Sequence, residues 1–396
     1  MSPDPASPLR VGVIGCGQFM RQQHIQTVAR SGQLVLQHLA DRNEQALTDV
    51  ADRYHPVRRS TNWEEVVADP AVDVVVVGIV PEFHPAVARA ALAHGKPVYV
   101  EKPLAPTVAE CRAVEQLARR LNLPVAVGFN RRFAPATRAM AAAFRQAKAP
   151  VSLYYRLADD ERIRPPEQHW KTVDRLLTET VHIFDLLCHL LAAEPVEIYA
   201  RESRPNDALI TVDYANGSRA TILSTSHASL AQPKEHLEAA LGEGRFVTMD
   251  DYVEVRTGGC ANLPGVQTFA GRAYDGCDNR HVDAFARHGL SALLEQRHAY
   301  EKAMRESGVL ADSGNPAAWA EARRLLGEPP PPQINYAPDK GWGAALEEFC
   351  AAIAARRTPG NATARDGNRA TACALAARQS IQSRQPMMLD PASWQT

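Results

Sequence analysis

Two charged segments of the sequence carry residue types that suit hydride transfer. Lys102 follows the apolar run "VYV" in the segment "VYVEKPLAPTVAE", and His182 lies in "TETVHIFDLLCHLL". A lysine can hold the oxygen of a carbinol or carbonyl group, and a histidine titrates close enough to neutral pH to exchange its proton. These two residues are therefore the candidate catalytic groups.

The histidine segment has helical spacing within an otherwise apolar stretch. Thr178, His182, Asp185 and His189 follow one another at i, i+4, i+7 and i+11, which aligns them along one face of a helix. A buried histidine and aspartate need polar partners. This face either meets another domain or places His182 at a nicotinamide ring, and the spacing leaves both interpretations open.

The elements that position Lys102 form a regular strand–helix alternation from Arg10 to Phe129. Short apolar runs alternate with segments of helical periodicity; the runs are "RVGVIG", "LVLQHLAD", "DVVVVGIV", "KPVYV" and "LPVAVGF". Runs that are apolar throughout are typical of parallel strands buried on both faces. Residues 1–130 are therefore predicted to form a doubly wound α/β domain of the Rossmann type.

A glycine turn follows the first predicted strand, in "VGVIGCGQFMRQQHI". Gly15 would allow the tight turn, and Gly17 would let a pyrophosphate approach the backbone at the start of a helix. Position 20 is Met20, where the usual pattern has a third glycine that serves helix–sheet packing. The turn predicts a dinucleotide site, and the alternative is a plain strand-to-helix turn.

An acidic residue ends the second predicted strand, as ribose recognition requires. Asp41 favours NAD, because a carboxylate would repel the 2′-phosphate of NADP. Arg42 could bind that phosphate or stack on adenine, so NADP stays possible. The other alternative is an aspartate at a helix N-terminus beside a solvated arginine.

The pattern changes after about residue 150. Longer strand-like runs with hairpin signals, among them Asn216–Gly217, predict an α+β domain over 131–396 with an open, mainly antiparallel sheet. Residues 280–328 are rich in Ala, Arg and Glu, which predicts a helical insertion; it could be a lid or a subunit contact. One face of an open sheet needs a cover, so a homodimer or homotetramer is expected.

The composition excludes several classes of function. The 396 residues include 44 basic and 45 acidic residues, a net charge of −1, which gives no electrostatic basis for binding nucleic acid or an anionic membrane. The N-terminal segment lacks the apolar run of a secretory signal. Seven scattered cysteines fit neither a disulfide framework nor a metal site, so a cytoplasmic protein without a metal is expected.

Three segments of the first domain together resemble the Gfo/Idh/MocA oxidoreductase family. They are "VGVIGCG", "VVGIVPEFHPAVARAALAHGKPVYVEKPLA" and "VAVGFNRRFAP". The resemblance implies that Lys102 is catalytic and contacts substrate and nicotinamide, that Pro81 and His84 lie beside the cofactor, and that Asn130, Arg132 and Phe133 lie near nicotinamide and substrate. The cofactor-binding set implied is Gly15, Gly17, Gln18, Phe19, Asp41, Arg42, Pro81, His84, Glu101, Lys102 and Asn130.

The resemblance extends to the second domain with departures. The family pattern D-x-G-x-H-x-x-D maps its histidine and second aspartate onto His182 and Asp185, whereas Thr178 and Thr180 replace the first aspartate and the glycine. The first carboxylate of an inositol-dehydrogenase site is therefore missing. Glu179 matches a branch of the family with E-x-x-H-x-x-D, which resembles enzymes of polysaccharide biosynthesis; "VTMDDY" and "PDKGW" also resemble that branch.

The substrate-binding set inferred from these motifs is Arg132, Trp170, Glu179 and Asp185. Trp170, in "PPEQHWKT", offers an aromatic face on which the C–H face of a sugar can pack, although a tryptophan can equally be a core residue.

The function implied is that of an NAD(P)-dependent oxidoreductase acting on a hydroxyl or keto carbon of a sugar, sugar derivative or cyclitol. Two alternatives follow from the same resemblance: a redox-neutral glycosidase that holds NAD tightly, and a dinucleotide-binding regulator of a sugar pathway without catalysis. The presence of both Lys102 and His182 favours catalysis.

Overall fold

The computed structural model describes residues 8–148, 150–164 and 174–394. The chain forms two compact units: the first runs to Arg132 and adds Gly341–Ala372 and the chain from Ala392, and the second comprises Phe133–Lys340 and Cys373–Pro391. The sequence-based boundaries assigned 131–396 to one domain, whereas Gly341–Ala372 belong to the first unit. They do so because they pack on that unit.

Fifteen strands lie in the described residues. They are β1 Leu9–Ile14, β2 Leu34–Ala40, β3 Arg58–Ser60, β4 Val74–Val77, β5 Val98–Val100, β6 Val125–Val127, β7 Ser152–Ala158, β8 Pro195–Glu202, β9 Asp207–Tyr214, β10 Arg219–Thr225, β11 Glu235–Gly242, β12 Arg245–Asp250, β13 Glu254–Gly258, β14 Val266–Thr268 and β15 Met387–Met388.

The α-helices of the same residues are α1 Gln18–Met20, α2 Gln26–Arg30, α3 Glu44–Tyr54, α4 Trp63–Ala68, α5 His84–Ala93, α6 Val108–Leu121, α7 Pro135–Phe144, α8 Val181–Leu191, α9 Arg280–Glu306, α10 Pro316–Leu326, α11 Trp342–Ala354 and α12 Ala364–Ser383. Two π-helical stretches, Arg21–Ile25 and Leu176–Thr180, precede α2 and α8 directly. No helix among the described residues has both the length and the apolar composition needed to cross a membrane.

The first unit contains a six-stranded parallel sheet in the order β3-β2-β1-β4-β5-β6. Every residue of β4, β5 and β6 is buried, as expected for central strands covered by helices on both faces. The predicted doubly wound sheet is confirmed. The five apolar runs are five of its strands, and β3 is an additional short edge strand.

Helix α11 and the start of α12 complete the first unit. The ring of Phe349 lies 5.9 Å from that of Tyr99 on β5, and the ring of Trp342 lies 6.4 Å from that of Phe19. The N–H of Val127 at the end of β6 donates to the carbonyl of Ala362 at 2.8 Å. These contacts are the physical reason that this segment joins the nucleotide-binding unit.

The second unit contains a nine-stranded sheet in the order β14-β13-β12-β11-β7-β10-β9-β8-β15. All its pairs are antiparallel except β7–β10. The predicted hairpin joins β9 to β10, and Gly217 adopts a φ of 82° there. One face packs into the core of the unit, with alternate residues such as Ile210 and Ile222 fully buried, while Leu209 on the other face is 53% exposed. The predicted α+β class with an open, mainly antiparallel sheet is confirmed.

The region 280–328 contains α9 and α10. Gly289 interrupts the helical backbone of α9 with a φ of 49°, and a Cβ there would lie 2.4 Å from Oε2 of Glu254. Farther along α9, Arg297 forms a fully buried ion pair with Asp251. The insertion is therefore attached to the sheet of its own unit by a buried charge pair.

Candidate active site

The glycine turn has the geometry that a pyrophosphate site needs. Gly15 has a φ of 110°, and a Cβ there would lie 2.2 Å from the carbonyl oxygen of Gly78, so only glycine fits. Gly17 has an extended backbone, and a Cβ built on it would meet no atom within 4 Å. The open space above Gly17, at the start of the helical run from Gln18, fits the phosphates of a dinucleotide.

Met20 explains how the turn works without a third glycine. Its side chain is buried, and a Cβ on Gly78 would lie 2.0 Å from its sulfur. The close helix–sheet approach therefore depends on a glycine at the end of β4 instead of one in the helix. Of the other predicted turn contacts, Gln18 is exposed and Phe19 is half-buried.

Asp41 follows β2 and is fixed beside the turn. Its Oδ2 accepts from the N–H of Cys16 at 2.6 Å, and its Oδ1 accepts from the N–H of Asn43 at 2.8 Å. Each carboxylate oxygen has a second lone pair, so the group retains capacity for ribose hydroxyls. Arg42 is exposed to solvent.

Lys102 follows β5 in a loop that contains a cis Lys102–Pro103 peptide bond. The carboxylate of Glu101 is buried: its Oε1 lies 2.7 Å from Nε2 of His24, and its Oε2 accepts from the N–H of Lys102 at 3.3 Å. The sequence-based analysis included Glu101 and missed His24. A histidine on the helix that follows the glycine turn was the only local signal for it.

His84 connects two loops of the first unit. Its Nδ1 lies 2.8 Å from the carbonyl oxygen of Pro103, and its Nε2 lies 3.1 Å from that of Ile79. Burial lowers the pKa of His84 below its usual value. The ring therefore holds the backbone of the Lys102 loop against the turn that begins with Pro81, and a direct contact of either residue with the cofactor remains a prediction.

The turn Asn130–Phe133 lies after β6. Asn130 is fully buried, and the guanidinium of Arg132 lies 3.1 Å from Oδ1 of Asp366, which Arg369 also contacts at 2.7 Å. Burial alone would raise the pKa of Asp366, but the two arginines lower it from 3.8 to about 2. Arg132 is thus held by a carboxylate, and its predicted substrate contact remains a prediction.

The second unit carries the remaining predicted residues on one helical run. Thr178 and Glu179 lie in the π-helical stretch, and His182 and Asp185 lie in α8, where both are buried. His189 is exposed, so the predicted polar stripe is buried only over its first three positions. Trp170 lies outside the described residues.

Glu179 belongs to a buried ion cluster that the sequence-based analysis missed. Its Oε2 lies 2.9 Å from Nζ of Lys234, which in turn lies 3.1 Å from Oδ2 of Asp159. Arg175 and Arg164 also contact Asp159, at 2.6 and 3.0 Å. Burial alone would raise the pKa of Asp159, but these cations lower it. The cluster fixes the carboxylate of Glu179 three residues before His182.

Within the ranges that the structure describes, no group of three or more His, Cys, Asp or Glu side chains could hold a metal ion.

Comparison with known proteins gives a family for the chain. A family model described as an oxidoreductase family with an NAD-binding Rossmann fold matches residues 9–129. Inositol 2-dehydrogenase of Acidothermus cellulolyticus is 34% identical over 201 residues, which are 50% of this chain and 58% of that enzyme. Inositol 2-dehydrogenase 2 of Saccharopolyspora erythraea is 31% identical over 238 residues, which are 59% of this chain and 68% of that enzyme.

The fold is also shared with solved structures over nearly the whole chain. An oxidoreductase from Agrobacterium radiobacter, solved in complex with NAD+, L-tartaric acid and magnesium, aligns with a TM-score of 0.73 at 15% identity and covers 98% of this chain and 99% of its own. The chain spans a little over half to two thirds of the length of the two inositol dehydrogenases above. Its sequence and fold place the chain in the Gfo/Idh/MocA oxidoreductase family.

Proposed function

We propose that this protein is an NAD-dependent oxidoreductase that transfers a hydride between nicotinamide and a hydroxyl or keto carbon of a sugar, sugar derivative or cyclitol. The observation that carries the proposal is the open space at the backbone of Gly17, at the end of the first strand of a doubly wound sheet. The carboxylate of Asp41 is held next to this turn by the N–H of Cys16. In such sheets ligands bind outside the carboxyl ends of the strands, where the Lys102 loop also begins.

The cofactor assignment rests on Asp41. Gly15 and Gly17 would hold the pyrophosphate, and Asp41 would accept from a ribose hydroxyl that NADP carries as a phosphate. The remaining members of the proposed cofactor-binding set are Gln18, Phe19, Arg42, Pro81, His84, Glu101, Lys102 and Asn130, with Arg42 at the adenine end. The bound nicotinamide supplies the carbon that accepts or gives the hydride.

Two side chains of this protein carry the proton and the substrate oxygen. Lys102 orients and polarises the oxygen of the reacting carbon, and His182 gives or takes its proton. His182 is buried on α8, which supports a role for its imidazole in an enclosed site away from bulk solvent.

The proposed substrate class is inferred from Glu179 and Asp185, the carboxylates on the same helical run as His182. The carboxylates of Glu179 and Asp185 would accept from ring hydroxyls, and Arg132 and Trp170 would contact the rest of the molecule. The inositol dehydrogenase relatives support a polyhydroxylated ring. Thr178 offers a hydroxyl where inositol recognition uses a carboxylate, so a ring other than inositol is the better candidate.

A substrate panel with cofactor readout tests the proposal. NADH formation should be measured at 340 nm with cyclitols, neutral sugars and uronic acids. Lys102→Ala and His182→Ala should each lower turnover by about 10²–10⁴-fold at an unchanged melting temperature, which is the usual range for lost acid–base groups. Full turnover in either variant would contradict the assigned role. Titration with NADH and NADPH should favour NADH.

The same assay separates the alternatives. Release of an aryl leaving group from a glycoside without net NADH would identify the redox-neutral glycosidase. Binding of NADH with neither reaction would identify a regulator.

A homodimer or homotetramer formed through the open sheet face is part of the proposal. Leu209 on β9 and Met388 on β15 expose large apolar side chains. Light scattering should give a multiple of the 43.3 kDa chain mass. Leu209→Glu should lower that mass, whereas Leu325→Glu, at an exposed leucine of α10, should not.

A further inference from the structure

His24 lies on the helical run that begins at the glycine turn, but it points to the lysine loop. It belongs to the π-helical stretch Arg21–Ile25 and is fully buried. Its Nε2 lies 2.7 Å from Oε1 of Glu101. A carboxylate can only accept, so Nε2 carries the hydrogen and donates it. Single π-helical turns inside helices are frequent at functional sites.

The carboxylate of Glu101 is restrained on three sides. His24 donates to Oε1, the N–H of Lys102 donates to Oε2, and the carboxylate packs against the backbone of Gly128. A Cβ on Gly128 would lie 2.6 Å from Oε1, so the absence of a side chain there is what admits the carboxylate. One of the three restraints is the backbone of the candidate catalytic lysine itself.

The ring of His24 has an aromatic environment. Its centroid lies 5.5 Å from that of Phe19 and 5.2 Å from that of Tyr99, both edge to face. Its Nδ1 is buried and has no hydrogen-bond partner among the residues that the structure describes. The polar interaction of this ring is therefore concentrated on Glu101, in surroundings of low polarity where such a bond is strong.

We propose that His24 is a positioning residue for Lys102. It holds the Glu101 carboxylate against Gly128 and the Lys102 backbone, and so keeps this carboxylate from pairing with the lysine ammonium. The helix that begins at the dinucleotide turn and the loop that carries the lysine are thereby connected through one buried contact. This inference rests on the proposed function only in giving Lys102 a catalytic role.

Removal of the His24 donor should allow the carboxylate of Glu101 to approach the ammonium of Lys102. A carboxylate that approaches an ammonium raises its pKa by about one unit or more, so the fraction of reactive amine falls about tenfold. Competitive acetylation of the intact protein with trace acetic anhydride, followed by peptide mass spectrometry, measures this fraction. Lys148, whose side chain is 70% exposed, serves as the internal standard.

Three variants form the test. His24→Leu removes the donor and fills the space, and should lower the labelling of Lys102 relative to Lys148 about tenfold. His24→Gln restores an N–H near the position of Nε2, and should return the labelling to within about threefold of wild type. His38→Leu is the matched control. His38 is also fully buried, with Nδ1 2.9 Å from Oδ2 of Asp69, and should change only the melting temperature.

Several results would overturn the proposal. These are wild-type labelling in His24→Leu, an equal fall in His38→Leu, and no recovery in His24→Gln. Should His24→Leu give no cooperative unfolding transition, His24→Asn replaces it. The shorter amide places its N–H near Nδ1 and not near Nε2, and it should show the loss that His24→Gln does not.

The labelling experiment requires no substrate, so it is independent of the proposed reaction. A labelling change with no NADH formation from any substrate would reject the proposed function and leave the positioning role intact. With an active substrate, His24→Leu should lower kcat about tenfold and leave the KM for NAD within about threefold, a division that simple destabilisation does not produce.

Discussion

Glu101 of the first unit and the acids around Lys340 in the second unit have different partners. In the first unit, the carboxylate of Glu101 contacts the ring of His24 and the backbone N–H of Lys102. In the second unit, Glu235 and Asp251 share the ammonium of Lys340, at 2.7 and 3.0 Å. Arg297 adds a second cation to Asp251. We therefore expect the loss of a cation near Glu235 and Asp251 to destabilise the fold, and a change at Glu101 to affect the proposed site at Lys102.

The energetic reason is the cost of an unmatched buried charge. A buried ion pair adds little net stability compared with apolar packing, but removal of one partner leaves the other charge desolvated and is strongly destabilising. The second unit is therefore sensitive to the loss of any one cation. In the first unit, the position of Glu101 depends on the hydrogen bond from His24. Loss of this donor should affect the proposed reaction more than the stability of the fold.

The largest effect on stability is expected from Lys340→Met. This change leaves Glu235 and Asp251 with one cation fewer, and should lower the free energy of unfolding by about 3–5 kcal/mol. Urea unfolding followed by circular dichroism measures it. Lys148→Met is the matched control, because that ammonium contacts Glu243 at the surface and should leave the urea midpoint close to wild type. Equal midpoints for the two variants would contradict this contrast.

A smaller effect is expected from acid, through Asp366 of the first unit. This carboxylate has two arginines, and its pKa is lowered from 3.8 to about 2 in the folded protein. Its stabilising contribution is therefore present above pH about 4 and is lost as the pH falls to about 2, by about 2 kcal/mol in the free energy of unfolding.

Unfolding of wild type and Asp366→Asn between pH 5 and pH 2 tests this dependence. The variant should be less stable at pH 5 and should approach wild type at the lower limit. A constant difference between the two proteins across this range would mean that the arginines do not lower the pKa of Asp366. The result would show whether the pKa of a buried carboxylate depends mainly on how many cations surround it, and less on which unit contains it.

The smallest effect on stability is expected from Glu101→Gln. The amide oxygen can still accept from His24, and the charge is lost without leaving an unmatched cation in the pair. The free energy of unfolding should fall by about 1 kcal/mol, the difference between a hydrogen bond to a charged group and one to a neutral group. Urea unfolding measures it beside Lys340→Met; a loss as large as in that variant would place Glu101 among the structural acids.

The fold was predictable where local sequence determines it. β-branched runs such as Val74–Val77 strongly favour buried strands, and the Asn216–Gly217 pair favours the hairpin turn that it forms. The edge strand β3 escaped prediction because Arg58–Ser60 are polar and half or fully exposed. Gly341–Ala372 were assigned by position in the chain, whereas contacts with Tyr99 and Val127 determine where they pack.

The candidate site was likewise predictable only where its residues belong to short local motifs. Gly15, Gly17 and Lys102 stand in short motifs whose physical requirements can be derived without a structure. The partners of Glu101 and Glu179 could not be derived in this way. His24 and Lys234 are far from them in sequence, and only the sheet registers and the π-helical stretches bring these residues together.

The attachment of α9 to the sheet has a consequence for the evolution of residues 280–328. A segment that supplies the guanidinium for Asp251 cannot be shortened past Arg297 without a cost, because the buried carboxylates of Asp251 and Glu235 would then share the single cation of Lys340. Loss of α9 would therefore require a prior substitution of Asp251. Related sequences that lack this helix should have an uncharged residue at the position of Asp251.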